Sequence, residues 1–290
     1  MIRSAFSTVG CHERTLEDVI ALYLDSPFDG VEFRTFGDGS SRFACDPALT
    51  SRVKLRRMLD GAGVSISSLA TSARFDEPLM PPPPVGYVIG DSERCVREAK
   101  QHIDLASALG VGCVRVFGFE GCVSESWRSL VRRMSERLKK LADHARNTNV
   151  TIVLENGGDC ARVEQLLEVI DVVSSPQLRA CYSLSSAWSA GEDPIEGFRM
   201  LGSEVRLVRV KDLRDGRPVM LGDGELACES FCTSLRSSGY DGWVVWEWDR
   251  AWLPELRPLD EVAREAGRRL IEWTSARDDA VPTPETAGAL

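Results

Sequence analysis

The sequence predicts an α/β fold in which eight parallel strands alternate with eight helices and close into one barrel. Strand-like and helix-like segments alternate along most of the chain, which is typical of parallel β/α organisation. A length of 290 residues is normal for a single barrel of this kind. We therefore expect a single-domain (β/α)8 TIM barrel over residues 1–274, followed by a polar, disordered tail over residues 275–290.

The strands are predicted from short apolar runs that end at polar or charged residues. The fifth run, VTIVLEN, gives the clearest pattern, because Glu155 ends a β-branched stretch and Gly157-Gly158 follow it. A carboxylate at that end of a barrel strand lies where such folds place their chemistry. The predicted strands are Arg3–Thr8, Val31–Arg34, Val64–Leu69, Cys113–Phe117, Val150–Glu155, Arg179–Ser183, Val205–Lys211 and Gly242–Glu247.

The helices are predicted between the strands from helical spacing and capping residues. The fourth helix carries an apolar stripe from Leu130 to Ala145. Asp91 is the expected N-cap of the third helix, Gly110 its C-terminal stop, and Gly61 the stop of the second. The predicted helices are Arg14–Leu24, Pro47–Leu59, Asp91–Leu109, Ser124–Arg146, Ala161–Val173, Pro194–Leu201, Ala227–Ser237 and Glu255–Trp273.

Residues 74–90 differ from the rest of the chain, since they contain four consecutive prolines and cannot form a regular element. A long loop in a compact domain is usually functional or disordered. Because this loop follows a strand, the sequence leaves two interpretations open, a lid over the barrel mouth and a solvated insertion.

Composition narrows the class of function. A net charge of −9 argues against a nucleic-acid partner, which normally needs a basic surface. No apolar run approaches the ~20 residues of a membrane span, and the N-terminus lacks a signal-peptide hydrophobic region, so we expect a cytoplasmic protein with no membrane partner. Nine cysteines are scattered without a C-x-x-C pair. Cys228 and Cys232 are better explained as a buried helix face than as metal ligands.

The parity of each strand predicts which side chains enter the barrel. Apolar residues such as Val31 and Phe33, or Ile152 and Leu154, occupy the parity that faces the helices. The opposite parity faces the lumen near the C-terminal mouth, and it comprises Glu32, Arg34, Arg115, Glu155, Ser183, Arg209, Lys211 and Glu247.

Charged side chains in the lumen are costly to bury unless they pair or bind a ligand. The predicted set has four cations and three anions, so it would accommodate a substrate with a carboxylate, a phosphate or a polarised carbonyl. The alternative is a self-neutralising layer of salt bridges. Charge clusters in clefts usually mark sites but also occur as purely structural layers.

Five strings along the chain carry a resemblance to a known family. Phe28–Arg34 reads FDGVEFR, Ala108–Gly118 reads ALGVGCVRVFG, residues 151–158 read TIVLENGG, Val205–Asp212 reads VRLVRVKD, and Leu221–Asp249 reads LGDGELACESFCTSLRSSGYDGWVVWEWD. From about Ser4 to Trp273 the chain resembles the sugar phosphate isomerase/epimerase family, the xylose isomerase-like TIM barrels. The last string is the most specific, with its Gly-x-Gly turn, helix, G-Y-D-G and Glu-ending strand.

The resemblance implies a divalent cation held by a Glu ending strand five, an Asp ending strand six, a His in strand seven and a Glu ending strand eight. Glu155 and Glu247 match the two glutamates. Ser183 stands at the Asp position of the D-x-x-H pattern and Ser186 at its His position, while Arg209 stands where the strand-seven His is expected.

These replacements favour loss of the metal, because a serine hydroxyl is a poor substitute for a carboxylate and arginine is always protonated. We expect no cofactor, with Arg209 supplying the lost positive charge. The alternative is a retained Mn²⁺ or Mg²⁺ on Glu155 and Glu247, with Cys181 or Asp212 as replacement ligands if the alignment is shifted.

The resemblance implies that the two glutamates act as acid and base on the carbon that changes configuration. Arg209 and Lys211 would then stabilise the enolate oxygen. We expect an isomerase-, epimerase- or lyase-like enzyme acting on a small sugar, polyol or oxo compound. The rivals are a conventional metal-dependent epimerase and a non-catalytic barrel that binds a ligand or a partner subunit.

Several further residues are candidates for binding the substrate. His12 is a proton shuttle or a hydrogen-bonded structural residue. Trp188 either stacks on a flat ligand or makes a core or lid contact. Arg34 and Arg115 either hold a substrate anion or pair with Glu32. The family also implies a homo-oligomer, although the sequence carries no interface signature.

Overall fold

The computed structural model describes residues 1–37, 43–77, 93–118 and 125–275. The proline-rich loop from residue 78 onward, Asp91, Ser124 and the tail from residue 276 onward lie outside these residues. Among the helices of the described chain, none is both long and apolar enough to cross a membrane.

The described residues form the predicted closed barrel. Its strands pair in parallel in the order β1-β8-β7-β6-β5-β4-β3-β2, and β2 closes back on β1. The strands are β1 Arg3–Ser7, β2 Gly30–Arg34, β3 Ile66–Arg74, β4 Cys113–Phe117, β5 Thr151–Glu155, β6 Leu178–Ser183, β7 Val205–Val210 and β8 Trp243–Trp246.

The helices lie between successive strands and pack around the barrel. Short 3₁₀ turns at Thr8–Cys11, Pro47–Leu49 and Gly202–Glu204 complete the connections. The helices are α1 Leu16–Asp25, α2 Arg52–Ala62, α3 Arg94–Leu109, α4 Trp127–Ala145, α5 Val163–Val173, α6 Leu184–Ser189, α7 Pro194–Leu201, α8 Cys228–Ser237 and α9 Leu259–Thr274.

The strand parity is as predicted. The outward residues of the strands, such as Val31, Ile152 and Val208, belong to the large core between sheet and helices. A separate small cluster fills the lower lumen, and it comprises Ala5, Cys113, Val153, Cys181, Leu207, Trp243 and Val245. Because side chains alternate along each strand, the next inward positions toward the mouth are the charged ones.

Some strand ends differ from the prediction. β3 runs to Arg74, so this residue belongs to a strand and does not begin the proline-rich loop. β7 ends at Val210 and β8 at Trp246, so Lys211 and Glu247 each lie one residue beyond their strands. Strand assignments commonly differ by one or two residues at their ends, and the inward direction of both side chains is kept.

The second helix also differs. It starts at Arg52 rather than Pro47, and it ends at Ala62 with Gly63 in the left-handed region at φ 65°. The predicted stop at Gly61 is therefore wrong. Gly63 is the residue that tolerates the positive φ required at this helix end.

Two elements were missed by the sequence analysis. The short helix α6 follows β6 directly, where the sequence SLSSAWS lacks a long apolar period. A two-stranded antiparallel hairpin, Asp212–Arg214 with Arg217–Val219, follows β7. Both elements lie at the C-terminal mouth of the barrel and so border the candidate site.

Asp212 fixes this hairpin. Its Oδ1 accepts hydrogen bonds from the backbone N–H of Leu213 at 2.9 Å and of Leu226 at 3.1 Å. Its Oδ2 accepts from Gly222 at 2.8 Å and Gly224 at 2.9 Å. A Cβ on Gly224 would lie 2.1 Å from Oδ1, and Gly222 has φ +85°. The Gly-x-Gly turn of the last string is therefore required by a buried carboxylate that collects backbone donors.

The G-Y-D-G segment has a similar explanation. The Tyr240 hydroxyl donates to the carbonyl of Trp243 at 3.0 Å. A Cβ on Gly242 would lie 2.3 Å from that hydroxyl, and Gly239 has φ +77°. The motif thus sets the entry into β8, the strand that Glu247 directly follows.

Candidate functional site

The candidate site lies at the C-terminal mouth of the barrel, where β5 to β8 end. A cleft of about 740 Å³ opens there. Lys211, Asp249 and Ser186 line it, together with residues of the β5–α5 loop such as Gly158 and of the hairpin such as Pro218. The active sites of barrels of this kind lie at this end.

Arg209 lies at the centre of the charged layer, and its side chain is 1% exposed. Its Nη2 is 2.6 Å from Glu247 Oε1 and donates a hydrogen bond to it. The same nitrogen is 3.1 Å from Glu32 Oε1, an ion pair without hydrogen-bond alignment. Nη1 makes a long hydrogen bond of 3.5 Å to Glu155 Oε2. One guanidinium is therefore shared by three carboxylates, which come from β2, from the end of β5 and from the residue after β8.

Further ion pairs extend from this centre. Arg115 Nε lies 3.1 Å from Glu155 Oε2. Lys211 Nζ lies 3.3 Å from Glu247 Oε2 and donates to Asp249 Oδ2 at 2.7 Å. We call the whole set the luminal charge network, and it comprises Glu32, Arg115, Glu155, Arg209, Lys211, Glu247 and Asp249.

Asp249 was missed by the sequence analysis. It lies two residues after Glu247 in the string EWD, so period-two alternation predicts the same inward direction. The strand assignment ended before it, which is why it was left out. With Asp249 added, the predicted inward-facing set has four cations and four anions, rather than the expected excess of one cation.

The electrostatics of the network follow from burial and pairing. Burial alone raises the pKa of Glu247, but Arg209 and then Lys211 outweigh it and hold that pKa well below its usual range. Burial lowers the pKa of Lys211, but Glu247 and Asp249 outweigh it and raise that pKa above its usual value. Burial and the neighbouring Glu247 raise the pKa of Asp249. Glu247 and Lys211 are therefore both charged at neutral pH.

Arg34 and Glu32 do not pair with each other, so that interpretation of Arg34 is wrong. Glu32 accepts a hydrogen bond from Ser68 Oγ at 2.7 Å and pairs with Arg209. Arg34 donates instead from Nη2 to Ser72 Oγ at 3.3 Å, and from Nη1 to the carbonyl of Thr71. These two contacts lie on β3, and Arg34 does not line the cleft described above.

Ser183 and Ser186, the two serines at the positions of the family's Asp and His, hydrogen-bond to each other at the start of α6. Ser183 is the N-cap of α6, and its Oγ accepts from the N–H of Ser186 at 3.4 Å and from the Ser186 hydroxyl at 3.1 Å. Ser186 also lines the cleft. Trp188, in the same helix, is 39% exposed. α6 therefore brings a row of hydroxyl groups and one accessible indole to the mouth.

His12 lies just after the 3₁₀ turn that follows β1. Its Nδ1 is 3.2 Å from Glu13 Oε2, and its ring packs edge-on against Phe43 with centroids 5.5 Å apart. Burial and then Arg250 lower the pKa of His12. Among the described residues these contacts tie His12 to the rim of the barrel and not to the carboxylates of the luminal charge network.

The barrel and its charged strand ends define the chain as a TIM barrel with a candidate site at the C-terminal mouth. The family model described as xylose isomerase-like TIM barrel matches residues 20–273, and the chain belongs to this family. No curated protein matches the chain.

Solved structures agree with this fold at low sequence identity. The IolI protein with a bound zinc atom has a TM-score of 0.77 at 17% identity, over 94% of this chain and 98% of that one. An L-ribulose 3-epimerase has a TM-score of 0.75 at 19% identity, over 96% and 99%. The probable 3-DHS dehydratase AsbF from Bacillus anthracis has a TM-score of 0.74 at 14% identity, over 92% and 98%.

The residues at the strand ends do not fit a divalent cation of the kind implied for this family. Glu155 and Glu247 share the guanidinium of Arg209, which is always protonated and repels a dication. The Ser183 hydroxyl is a weak ligand and already caps a helix. In the described part of the chain, no group of three or more His, Cys, Asp or Glu is arranged to hold a metal ion.

The two replacement ligands considered for a shifted alignment do not improve the fit. Asp212 uses both oxygens for backbone N–H groups, away from the lumen. Cys181 lies in the apolar lower lumen, where burial raises the pKa of its thiol well above the usual value. A neutral thiol in that position is not a ligand for a hard cation.

Proposed function

We propose that this chain is an isomerase- or lyase-type enzyme that moves a proton on a small sugar, polyol or oxo compound without a metal ion. One observation carries the proposal: the Arg209 guanidinium lies between Glu155 and Glu247, the two carboxylates that match the family's metal ligands. The similar structures include an epimerase and a probable dehydratase, so either reaction type is compatible with a barrel of this shape.

A guanidinium supplies part of what a divalent cation supplies in such chemistry. Removal of a proton next to a carbonyl leaves negative charge on the carbonyl oxygen, and that charge needs fixed donors. Arg209 offers charge-assisted N–H donors from a buried position, and Lys211 offers an ammonium group at the edge of the cleft. Because both groups are already oriented by carboxylates, little reorganisation accompanies the reaction.

Glu155 and Glu247 end strands that are separated by β6 and β7, so the two carboxylates flank Arg209 from either side. A substrate bound over Arg209 on the mouth side would have one carboxylate at each side, which is the arrangement needed to remove a proton and return it. Arg209 and Lys211 keep Glu247 ionised in the free enzyme. When a substrate oxygen accepts hydrogen bonds from Lys211, the ion pair between Lys211 and Glu247 weakens. The pKa of Glu247 then rises, so Glu247 becomes a stronger base.

The experiment measures proton transfer without assuming the product. Purified protein is treated with EDTA, its Mn, Mg, Zn and Co content is measured, and a panel of ketoses, aldoses and oxo acids is incubated with it in D₂O. Deuterium incorporation beside the carbonyl, followed by NMR, is expected from metal-free protein. Stoichiometric metal whose removal abolishes exchange would overturn the metal-free part of the proposal.

A reconstituted ligand set gives a matched comparison. The double substitution Ser183→Asp and Arg209→His restores the family pattern at both altered strands, and we expect it to bind Mn²⁺ at least about tenfold more tightly than the unchanged protein, by calorimetry. The single substitution Ser183→Asp leaves the guanidinium in place and is expected to bind no better. Equal binding by all three proteins would contradict the role given to Arg209.

A second function is supported by the complete pairing of the luminal charge network. A barrel whose charges neutralise one another could bind a ligand without turning it over. The same D₂O experiment separates the two functions, since a binding barrel gives saturable binding but no deuterium incorporation with any member of the panel.

A further inference from the structure

Arg34 is a buried cation at the mouth that forms no ion pair with the luminal charge network. Its side chain is on the inward parity at the end of β2, and the residue is 6% exposed. Among the described residues no carboxylate pairs with it, and its Nε has no hydrogen-bond partner. Its other contacts are the uncharged oxygens of Thr71 and Ser72. A buried guanidinium held only by neutral acceptors lacks the counter-charge that burial normally requires.

Two aromatic rings lie beside the guanidinium of Arg34. Its Cζ lies 5.9 Å from the ring centroid of Phe36 and 5.8 Å from that of Phe117. The Cζ of Arg115 lies 5.0 Å from the same Phe117 ring, so two guanidinium groups flank one aromatic side chain. Arg115 already pairs with Glu155, which leaves Arg34 as the buried inward-facing cation without a carboxylate partner among the described residues.

The same surroundings set the pKa of Arg34. Burial, Arg115 and Arg209 together lower the pKa of Arg34 to about 9. Arg209 faces the opposite situation, since its three carboxylates raise its pKa well above the usual value in spite of burial. An anion placed beside Arg34 would relieve the repulsion between these cations.

We propose that Arg34 is the anchor for a carboxylate group of the substrate, which makes the substrate a hydroxy- or oxo-carboxylic acid; this inference rests on the proposed function. A guanidinium is planar, and its paired N–H groups match the two oxygens of a carboxylate. The inward-facing charges balance at four cations and four anions when Arg34 is counted, so one added negative charge is tolerated better than the two of a phosphate monoester.

The proposal also places the two ends of the substrate. Its carboxylate binds on the β2 side, between the rings of Phe36 and Phe117. Its reacting carbon lies toward Arg209 and the glutamates on β5 and β8. Specificity for an acid over the corresponding neutral polyol would then come from a group that takes no part in the proton transfer.

The test measures binding, not turnover, so that its result does not depend on the reaction. D-glycerate, glycerol 3-phosphate and glycerol serve as carboxylate, phosphate and neutral probes of similar size, and their affinities are compared by NMR titration at constant ionic strength. We expect glycerate to bind best, and Arg34→Gln to weaken it about tenfold or more. Arg34→Lys, which keeps the charge, is expected to restore part of the affinity.

Arg14→Gln is the matched control, because Arg14 is exposed and pairs with Asp260 outside the barrel. It should leave glycerate binding unchanged. Equal affinities for glycerate and glycerol, or unchanged glycerate affinity in a folded Arg34→Gln protein, would overturn the anchor. Tighter binding of glycerol 3-phosphate than of glycerate would overturn the assignment to a carboxylate.

The outcome is separable from that of the proposed function. Glycerate binding that depends on Arg34, together with no deuterium exchange on any acid, keeps the anchor and removes the proton transfer. Deuterium exchange on neutral sugars, together with no preference for glycerate, keeps the proton transfer and removes the anchor.

Discussion

The lumen of this barrel has two layers built by the same strands but opposite in character. In the lower layer Val153, Cys181 and Leu207 are fully buried in an apolar cluster. Two residues further along the strands, Glu155 and Arg209 belong to the luminal charge network. Two residues along each strand therefore separate the apolar layer that fills the barrel from the charged layer that is available for chemistry. We therefore expect substitutions in the two layers to act through different mechanisms.

The layers also differ in how burial affects the free energy of folding. Burial of the lower side chains is favourable in itself. Burial of the charges is unfavourable, and pairing offsets it only while both partners are present. The lower layer should therefore respond to lost volume, and the upper layer to an unbalanced charge.

The largest effect is expected from Arg209→Met. This change leaves Glu32, Glu155 and Glu247 close together without their shared cation, and it should lower the free energy of unfolding by about 3–5 kcal/mol at neutral pH. Leu207→Ala, one inward position lower on β7, should also cost a few kcal/mol, by creating a cavity. Urea unfolding measures both.

The pH dependence separates the two mechanisms. In the unchanged protein the pKa of Glu247 is lowered, so its contribution to stability is present above its unfolded value of about 4.5 and is lost as the pH falls below it. Without Arg209 the three carboxylates repel each other, so Arg209→Met should regain stability as they become protonated toward pH 5. The deficit of Leu207→Ala should be the same at pH 5 and 8. If the stabilities of Arg209→Met and Leu207→Ala changed with pH in the same way, the proposed difference between the two layers would be wrong.

The next effect concerns turnover. Glu155→Gln and Glu247→Gln should each slow deuterium exchange by at least ~100-fold, because an amide cannot accept the substrate proton. Val153→Ala, two residues before Glu155 on β5, should change the rate by no more than a few fold in protein that remains folded. Near-normal exchange in both glutamine variants would exclude the acid/base role and leave the upper layer as a binding surface.

A smaller effect is expected next to the network, at Asp212. This carboxylate has the parity opposite to Lys211 and collects four backbone N–H groups outside the lumen. Asp212→Asn should cost about 2–3 kcal/mol of stability, because the amide removes the charge and turns a donor toward these N–H groups. Gly224→Ala should also be destabilising, since its Cβ would lie 2.1 Å from Asp212 Oδ1.

Gly61→Ala is the control for the glycine change. Gly61 lies inside α2, and an added Cβ meets nothing within 4 Å. This substitution should raise stability by about 0.5–1 kcal/mol. A destabilising Gly61→Ala, or a neutral Gly224→Ala, would contradict this explanation. The effect of each substitution on stability would then not depend on contact between the added Cβ and Asp212.

Much of this arrangement was predictable from the sequence, because parity is a local property. The alternation of Ile152 and Leu154 with Glu155 fixes which side chains face the lumen, whatever the rest of the barrel does. Glu247 and Arg209 were found in the same way. The order of the strands followed from the alternation of strand and helix patterns.

The rest depended on contacts between distant segments. The pairing of Glu32 with Arg209, rather than with its neighbour Arg34, is decided by strand register across the barrel. The bonding of Asp212 to a turn ten to fourteen residues later is equally invisible to periodicity. Asp249 carried a readable signal, its spacing from Glu247, but lay beyond the assumed end of the strand.

The smallest expected effect comes from a titratable group outside both layers. His102 lies half-buried in α3, and its Nδ1 has no partner among the described residues. Burial lowers the pKa of His102 and outweighs the attraction of Asp46, while Arg34 adds to the lowering. The unfolded chain therefore binds a proton more readily than the folded one, and stability should decline as the pH falls below about 6.5.

His102→Gln should remove this contribution and make the fall in stability between about pH 7 and 5 shallower, although His12, whose pKa is also lowered, keeps part of it. His144→Gln is the control, because His144 lies on the surface beside Asp104. Unfolding curves at several pH values measure the slopes. An unchanged slope for His102→Gln would contradict the contribution assigned to the buried imidazole of His102.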